Sequence, residues 1–247
     1  MKSPFIQEIC AIADRVDGWL GKREGPYLYE LARIGSKIGV VVEIGSWKGK
    51  STVWLAKGSA AINGGRIYAI DPHVGSPELK MLGYSEADTH GEFLKNIRTA
   101  GIESLVHPLI KTSMEALKEW SFPIGLLWID GDHNYESVRS DFFGWEPFVV
   151  DEGIIAFHDT YSWEGVRRVV DEEVLRNERF KVLGQVDGIL AVKKVHFLSF
   201  FDRLHRALIF HLRQIYNKAR IERRHWRALP RKLLRALSTP RIKAPLR

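Results

Sequence analysis

The stretch Val40-Val41-Val42-Glu43-Ile44-Gly45-Ser46-Trp47-Lys48-Gly49-Lys50-Ser51-Thr52 decides the fold of this 247-residue chain. A short apolar run of β-branched residues leads into a glycine turn, and the turn leads into the start of a helix. Glycines let a backbone approach a ligand closely, and the exposed amides at a helix start favour polar or anionic groups. The stretch is therefore typical of a ligand-binding turn at the carboxyl edge of an open α/β sheet. A turn that binds nothing is the alternative.

The same alternation of strand and helix continues along the chain. Strands are predicted over 40–44, 66–70, 105–110, 124–129 and 153–157, and helices over 50–61, 86–100, 114–120, 134–146 and 163–176. Two more helices are predicted ahead of them, over 4–20 and 27–37. Five β/α units in a row predict an α/β fold with a doubly wound, mainly parallel sheet. The runs 180–183 and 189–192 flank Asp187-Gly188, which is hairpin chemistry and predicts an antiparallel strand at the end.

Charge divides the chain unevenly. Residues 193–247 hold 16 Lys and Arg against Asp202 and Glu222 only, whereas residues 1–192 hold 21 Lys and Arg against 28 Asp and Glu. We therefore expect three parts: an N-terminal helical cap (1–37), a core domain (38–194) and a basic helical tail (195–247). The single cysteine, Cys10, excludes an internal disulfide framework. Because the sequence also has no signal-peptide core and no membrane-spanning apolar run, we expect a cytoplasmic protein.

The tail has the pattern of an amphipathic helix over 196–217. Its apolar residues recur at helical spacing: Phe197, Phe200, Phe201, Leu204, Leu208, Leu212 and Ile215. An Arg-rich helix of this kind suits an anionic membrane surface, here the inner face of the cell membrane. A helix docked on the core or on another subunit is the equal alternative. Nucleic acid is not an expected partner, because the sequence lacks the signature of an RNA-binding module.

Two polar clusters follow neighbouring strands of the predicted sheet. Asp130-Gly131-Asp132-His133 comes after the strand 124–129, and His158-Asp159 comes after the strand 153–157. The carboxyl ends of parallel strands meet at one edge of a sheet, so these carboxylates and imidazoles should converge. Such an arrangement can hold a divalent cation beside a base. The alternative is that the carboxylates cap the following helices, with Asn134 or Asp132 as the N-cap.

Five elements that occur in order along the chain resemble a class I S-adenosylmethionine methyltransferase. They are Glu43-x-Gly45-x-x-x-Gly49, Asp71 after the second strand, Ser113 with Glu115, Ile129-Asp130-Gly131-Asp132-His133, and His158-Asp159. Within that class they resemble the metal-dependent O-methyltransferases that modify sugars and natural products, of the cephalosporin-biosynthesis and macrolide-sugar type. The resemblance covers roughly residues 38–194 and implies a seven-stranded sheet whose last strand is antiparallel.

The resemblance also implies roles for individual residues. The cofactor S-adenosylmethionine would lie against Glu43, Gly45, Ser46, Gly49, Asp71, Ser113 and Asp130. A divalent metal would be held by Asp130, His158 and Asp159, with His133 as the catalytic base. The relatives usually carry an acid at the position of His158. A mixed nitrogen and oxygen site suits Mn²⁺, Fe²⁺ or Zn²⁺ better than the oxygen-only site of Mg²⁺.

The predicted function is therefore a metal-assisted O-methyltransferase acting on a hydroxyl of a sugar, glycolipid, polysaccharide or glycosylated natural product. Expected partners are a small-molecule or saccharide acceptor, an anionic membrane and a second copy of the chain. One alternative is an oxidoreductase using a nicotinamide cofactor, which the glycine spacing disfavours. A catalytically silent protein that binds saccharide or membrane is another.

Overall fold

A computed structural model describes residues 4–75 and 89–221 of the protein. The helices are α1 (Pro4–Ala13), α2 (Glu24–Gly35), α3 (Lys50–Ala60), α4 (His90–Thr99), α5 (Ser113–Leu117), α6 (Tyr135–Trp145), α7 (Glu164–Val169) and α8 (Phe200–Ile221). The strands are β1 (Val40–Ile44), β2 (Ile67–Ile70), β3 (Val106–Leu109), β4 (Ile124–Ile129), β5 (Val149–Phe157), β6 (Phe180–Val186) and β7 (Ile189–Lys194). The start of the predicted helix 86–100 and the tail after residue 221 lie outside the described residues.

The strands form one seven-stranded sheet in the order β3-β2-β1-β4-β5-β7-β6. Strands β1 to β5 pair in parallel, and β7 pairs antiparallel with both β5 and β6. The predicted α/β fold, with its mainly parallel sheet and its antiparallel terminal strand, is confirmed. The strand order reverses direction between β1 and β4, which is where ligands bind in open α/β sheets.

Helices cover both faces of the sheet, and alternate strand residues supply the two cores. One core contains Val41, Leu126 and Ile154 from the strands with side chains of α1 to α4. The other contains Val42, Leu127 and Ile155 with side chains of α6, α7 and α8. Both faces of the strands are therefore buried, which explains why they appear in the sequence as continuous apolar runs rather than alternating ones.

Several element boundaries differ from those predicted. Helix α1 ends at Ala13, seven residues early, and the chain then passes through Gly18 at φ +145°. Helix α2 begins at Glu24, so Pro26 lies in its first turn, where a missing N–H costs no helical hydrogen bond. Strand β5 begins at Val149 instead of 153, with Glu152 exposed at φ +64°. Helix α7 continues as a π-helical turn over Val170–Val174.

Candidate active site

The loops that follow β1, β2, β4 and β5 surround one cavity of about 710 Å³. Its wall contains most of the residues singled out from the sequence, namely Gly45, Ser46, Asp71, Ser113, Asp130, His133, His158 and Asp159. Residues 18–20, between α1 and α2, also line it. The two polar clusters therefore converge at one edge of the sheet, as the sequence predicted.

Gly45 allows β1 and β4 to meet at the floor of this cavity. Its φ is +85°, and a Cβ atom there would lie 2.2 Å from the carbonyl oxygen of Asp130. The sequence analysis connected this glycine with the approach of a ligand; in the structure a side chain there would also collide with the neighbouring strand end. Gly49 has a left-handed φ of +91° at the N-cap of α3. Its missing Cβ makes room for the ring of Phe93 at 3.1 Å.

Glu43 lies beneath the glycine turn, not in the cavity wall. The Ser51 hydroxyl donates to Oε1 at 2.5 Å and the Thr52 hydroxyl donates to Oε2 at 2.6 Å. Burial raises the pKa of this carboxyl to about 8, against the lowering effect of the two hydroxyls. Since its contacts join β1 to the first turn of α3, Glu43 shapes the loop between them.

Ser46 and Asp71 face the cavity from that loop and from the end of β2. The Ser46 side chain is buried, and its hydroxyl has no hydrogen-bond partner among the described residues. Asp71 accepts hydrogen bonds from the backbone amides of Trp47 at 2.8 Å and His73 at 2.7 Å. Asp71 therefore fixes the loop after β1, and each of its oxygens keeps a lone pair for a further donor.

A third part of the wall is formed by the start of α5 and the middle of α6. The Ser113 hydroxyl accepts a hydrogen bond from the Trp145 indole at 2.8 Å. It also lies within hydrogen-bonding reach of Asp141, a buried carboxyl whose pKa is raised to about 6 by burial. The sequence analysis missed Asp141. Its signal was weak, because an acid within an amphipathic helix normally points to solvent.

Asp130, His133 and Asp159 form a cluster whose ligand atoms all lie within 4.8 Å of one another. The Nε2 atom of His133 is 3.4 Å from Oδ2 of Asp159. Burial raises the pKa of Asp130. For Asp159, the His133 hydrogen bond and the charge of His158 outweigh burial and hold the pKa below its ordinary value. Asn134 caps α6 by accepting a hydrogen bond from the Ser137 amide, so the capping role belongs to Asn134.

His158 is buried behind this cluster between acids from two parts of the chain. Its Nδ1 atom lies 3.0 Å from Asp130 and 3.5 Å from Asp159, and its Nε2 atom lies 3.3 Å from Glu24. Burial alone would lower the pKa of this imidazole, but the surrounding carboxylates raise it well above its usual range. Glu24 also accepts hydrogen bonds from the amides of Gly188 and Gly21. Glu24, which the sequence analysis did not identify, ties α2 to the site.

Aromatic rings cover two parts of the cavity wall. The imidazole of His133 stacks on the indole of Trp163, with ring centroids 4.8 Å apart and planes inclined by 9°. Trp19 stacks on Trp47 at 4.6 Å, and about half of Trp19 is exposed. The wall thus combines flat apolar faces with a few directed polar groups, which is the usual composition of a small-molecule site.

Comparisons with known proteins agree with this architecture. Residues 42–160 match the family model of a methyltransferase domain. The uncharacterized protein R132 of Acanthamoeba polyphaga mimivirus is 28% identical over 126 residues, which are 49% of this chain and 52% of that protein. The chain therefore spans about half the length of this curated relative.

Two solved structures illustrate the fold. An O-methyltransferase from Bacillus cereus, in complex with SAH, is 19% identical with a TM-score of 0.55, covering 78% of this chain and 92% of its own. The O-methyltransferase TomG from Streptomyces achromogenes, involved in tomaymycin synthesis and in complex with SAM, is 15% identical with a TM-score of 0.55. That alignment covers 79% of this chain and 91% of TomG.

Residues 42–160 match the methyltransferase-domain family, and the seven-stranded sheet with its antiparallel terminal strand is the fold that the resemblance to class I S-adenosylmethionine methyltransferases implies. The class indicated by the sequence motifs is thereby confirmed, and the family match supports it over the oxidoreductase alternative. No helix in residues 4–75 and 89–221 is long and apolar enough to cross a membrane.

Proposed function

We propose that the protein transfers a methyl group from S-adenosylmethionine to a hydroxyl oxygen, with a divalent cation at Asp130 and Asp159 and with His133 as the base. The observation that carries this proposal is that one cavity is lined both by the loop after β1 and by the Asp130, His133 and Asp159 cluster. A methyl donor and a hydroxyl acceptor would meet there. The division into cap, core domain and tail, and assembly with a second copy, remain predictions.

The residues around the glycine turn fit the cofactor. The buried Ser46 hydroxyl lacks a partner among the described residues, and a charged amino-acid end would satisfy it. The free lone pairs of Asp71 suit ribose hydroxyls. Ser113 and Asp141 would take the adenine end. Gly45 and Gly49 set the path of the loop, and Glu43 supports it from below.

The donor set at the cluster fits a divalent cation. The carboxylates of Asp130 and Asp159 with the imidazole of His158 form a mixed set that suits Mn²⁺ or another first-row ion, and Mg²⁺ is the alternative. We propose Asp130 and Asp159 as ligands, and His158 as a third through its Nδ1 atom, which faces both and would give up its proton when the cation binds. When bound, the cation would lower the pKa of the acceptor hydroxyl and the cofactor would supply the methyl group.

His133 would accept the proton of the acceptor hydroxyl. Asp159 holds its Nε2 edge, and Trp163 holds the face of its ring, so the imidazole is kept in one orientation. A positioned base of this kind typically contributes ~10² to 10⁴-fold to the rate. Glu24 and His158 keep Asp130 and Asp159 in place from behind.

For the acceptor we propose a saccharide or a glycosylated product. The stacked pairs Trp19–Trp47 and His133–Trp163 offer flat apolar surfaces that suit the C–H face of a sugar ring. A natural-product acceptor is the alternative; the structurally similar TomG is involved in tomaymycin synthesis.

Cofactor binding is tested by calorimetry with S-adenosylhomocysteine and with NAD. We expect the first ligand to bind and the second not to bind. Ser46→Ala should weaken binding about two- to tenfold, the value of one hydrogen bond. Ser36→Ala is the matched control, because the Ser36 hydroxyl is also buried and without a partner among the described residues but lies outside the cavity wall. Binding of NAD alone would contradict the methyltransferase function.

The metal role is tested by Mn²⁺ binding and by methyl transfer to saccharide acceptors with and without a chelator. Asp130→Asn and Asp159→Asn should lose Mn²⁺ binding while retaining S-adenosylhomocysteine affinity. Asp132→Asn is the control, because this acid lies on the same loop but outside the cluster. Full activity in the chelator would exclude the metal. A protein that binds the cofactor but methylates none of the acceptors would favour the silent binding alternative.

A further inference from the structure

Helix α8 has two different faces. One face packs on the body of the protein through Ile209, Leu212, Arg213 and Asn217, all of which are buried. The other face is apolar and exposed, and we call it the α8 stripe: Phe197, just before the helix, with Phe200, Phe201, Leu204, Leu208 and Ile215. The two phenylalanines at the start of the helix are about three-quarters exposed. Single exposed apolar residues are ordinary, but a contiguous row of this kind marks an interaction site.

The stripe cannot turn toward the protein, because the opposite face is anchored by a buried arginine. Arg213 is 0% exposed and donates to Asp171 at 2.8 Å and to Gln185 at 2.7 Å. It also donates to the backbone carbonyl of Thr160 at 3.0 Å. Rotating α8 to cover the stripe would expose these polar groups without their partners. The helix is therefore fixed with its apolar row outward.

The shape of the stripe suits a flat surface. At about 100° of rotation per residue, the five members within the helix fall in an arc of roughly 100°. At about 1.5 Å per residue they extend over about 22 Å along the axis. A straight, narrow row of this length can lie in the plane of an interface with its side chains directed into it.

The charge around the α8 stripe favours an anionic surface over a second copy of the chain as its partner. No acidic side chain interrupts the stripe, and Asp202 near its start is paired with Lys181 at 2.9 Å. The sequence that follows the helix, residues 222–247, contains nine Lys and Arg against Glu222 alone. Pairing two stripes in a dimer would bring two such strongly basic segments into one particle, where they repel. An anionic surface would instead attract the same charges.

We propose that α8 docks on a membrane containing anionic phospholipids, with the stripe inserted among the acyl chains and residues 222–247 attracted to the headgroups. This goes beyond methyl transfer, and its test does not involve activity. Since Arg213 contacts Thr160, next to Asp159 of the candidate metal cluster, the docked helix would hold the active site close to the lipid surface.

The test uses the full-length protein and vesicles of phosphatidylcholine with or without phosphatidylglycerol. We expect sedimentation with the anionic vesicles at low salt, release as ionic strength rises, and little association with phosphatidylcholine alone. Phe200→Ser/Phe201→Ser should weaken partitioning at least about tenfold, because two apolar rings no longer enter the lipid. Ile38→Ser/Ile110→Ser is the control, since these residues are exposed but adjoin β1 and β3 instead of α8, and the change should leave binding unchanged.

Sizing chromatography without lipid completes the experiment. We expect the wild type and the Phe200→Ser/Phe201→Ser variant to elute alike. A dimer that this variant converts to a monomer would show that a second copy covers the stripe and would overturn the proposal. Equal binding to both kinds of vesicle, or vesicle binding that the stripe variant leaves intact, would also overturn it.

Discussion

Replacing Arg213 by methionine keeps most of the apolar stem and removes the guanidinium. The guanidinium is fully buried and contacts Asp171, Gln185 and Thr160. Asp171 is itself buried, so the substitution leaves a carboxylate with one hydrogen bond from Gln214 at 2.8 Å and the distant Arg167 at 3.8 Å. Breaking a buried pair on one side typically costs about 3–5 kcal/mol. Because Asp171 keeps these two contacts, we expect the free energy of unfolding to fall by about 3 kcal/mol, the lower end of that range.

Urea denaturation followed by tryptophan fluorescence measures this loss. Arg203→Met is the matched control on the same helix, because Arg203 pairs with Glu178 at 3.0 Å and both side chains are more than half exposed. That substitution should cost less than about 1 kcal/mol. In the Arg213→Met background, Asp171→Asn should recover part of the lost free energy, since it removes the unpaired charge.

Two results would refute the argument for Arg213. Arg213→Met could unfold within about 1 kcal/mol of the wild type, which would mean that water or a neighbour replaces the guanidinium at little cost. Alternatively, Asp171→Asn could add its own destabilisation in full, which would mean that the carboxylate was not the source of the penalty.

Two further predictions concern the turn after β1. Gly45→Ala should destabilise the fold by more than about 2–3 kcal/mol, because the new Cβ adds a collision with Asp130 to the cost of a positive φ. Gly101→Ala is the control, because Gly101 has φ +64° with open space around it and should lose only the backbone cost of ~1–2 kcal/mol. If thermal unfolding showed the same loss of stability for both variants, the collision at Gly45 would be contradicted. Glu43 has a folded-state pKa of about 8 against about 4.5 when unfolded, so the folded state holds the proton more tightly and stability should fall as pH rises from 4.5 to 8. This loss of stability is at most about 5 kcal/mol and should be absent in Glu43→Gln. If the wild type and Glu43→Gln showed the same change in urea midpoint between pH 5 and pH 8, the Glu43 carboxyl would not be its source.

The sequence predicted the sheet well because parallel strands buried on both faces leave uninterrupted apolar runs. It also located Asp71, Asp130, His133 and Asp159 at one edge, since each lies within four residues of a strand end and the ends of parallel strands converge. The chemistry of the edge was therefore readable from local signals. The end of α1 at Ala13 could not be predicted in this way, because the turn at Gly18 depends on the tertiary contacts of the residues that follow it.

Glu24 and Arg213 escaped prediction for a different reason. Glu24 meets His158 across 134 positions, and Arg213 meets Thr160 across 53. Neither contact has a local periodicity that would reveal it. Arg213 did leave one trace, because it shares a helical face with Ile209 and Leu212, where a charged residue would be costly without a buried partner. The collision that Gly45 avoids was likewise hidden, since the strand end involved is 85 residues away.

Helices α2 and α8, which flank the strands in the sequence, both form hydrogen bonds that hold the loop after β5, where Asp159 lies. Glu24 in α2 accepts the Gly188 amide, and the Gly188 carbonyl accepts the Thr160 amide at 3.0 Å, while Arg213 in α8 donates to the Thr160 carbonyl. A fragment that comprises only residues 42–160, the limits of the family match, would lack the hydrogen bonds from both helices. Chimeras that exchange this methyltransferase domain between relatives should therefore carry their own α2 and α8, and amide exchange at Thr160 should be slow for a residue outside regular structure.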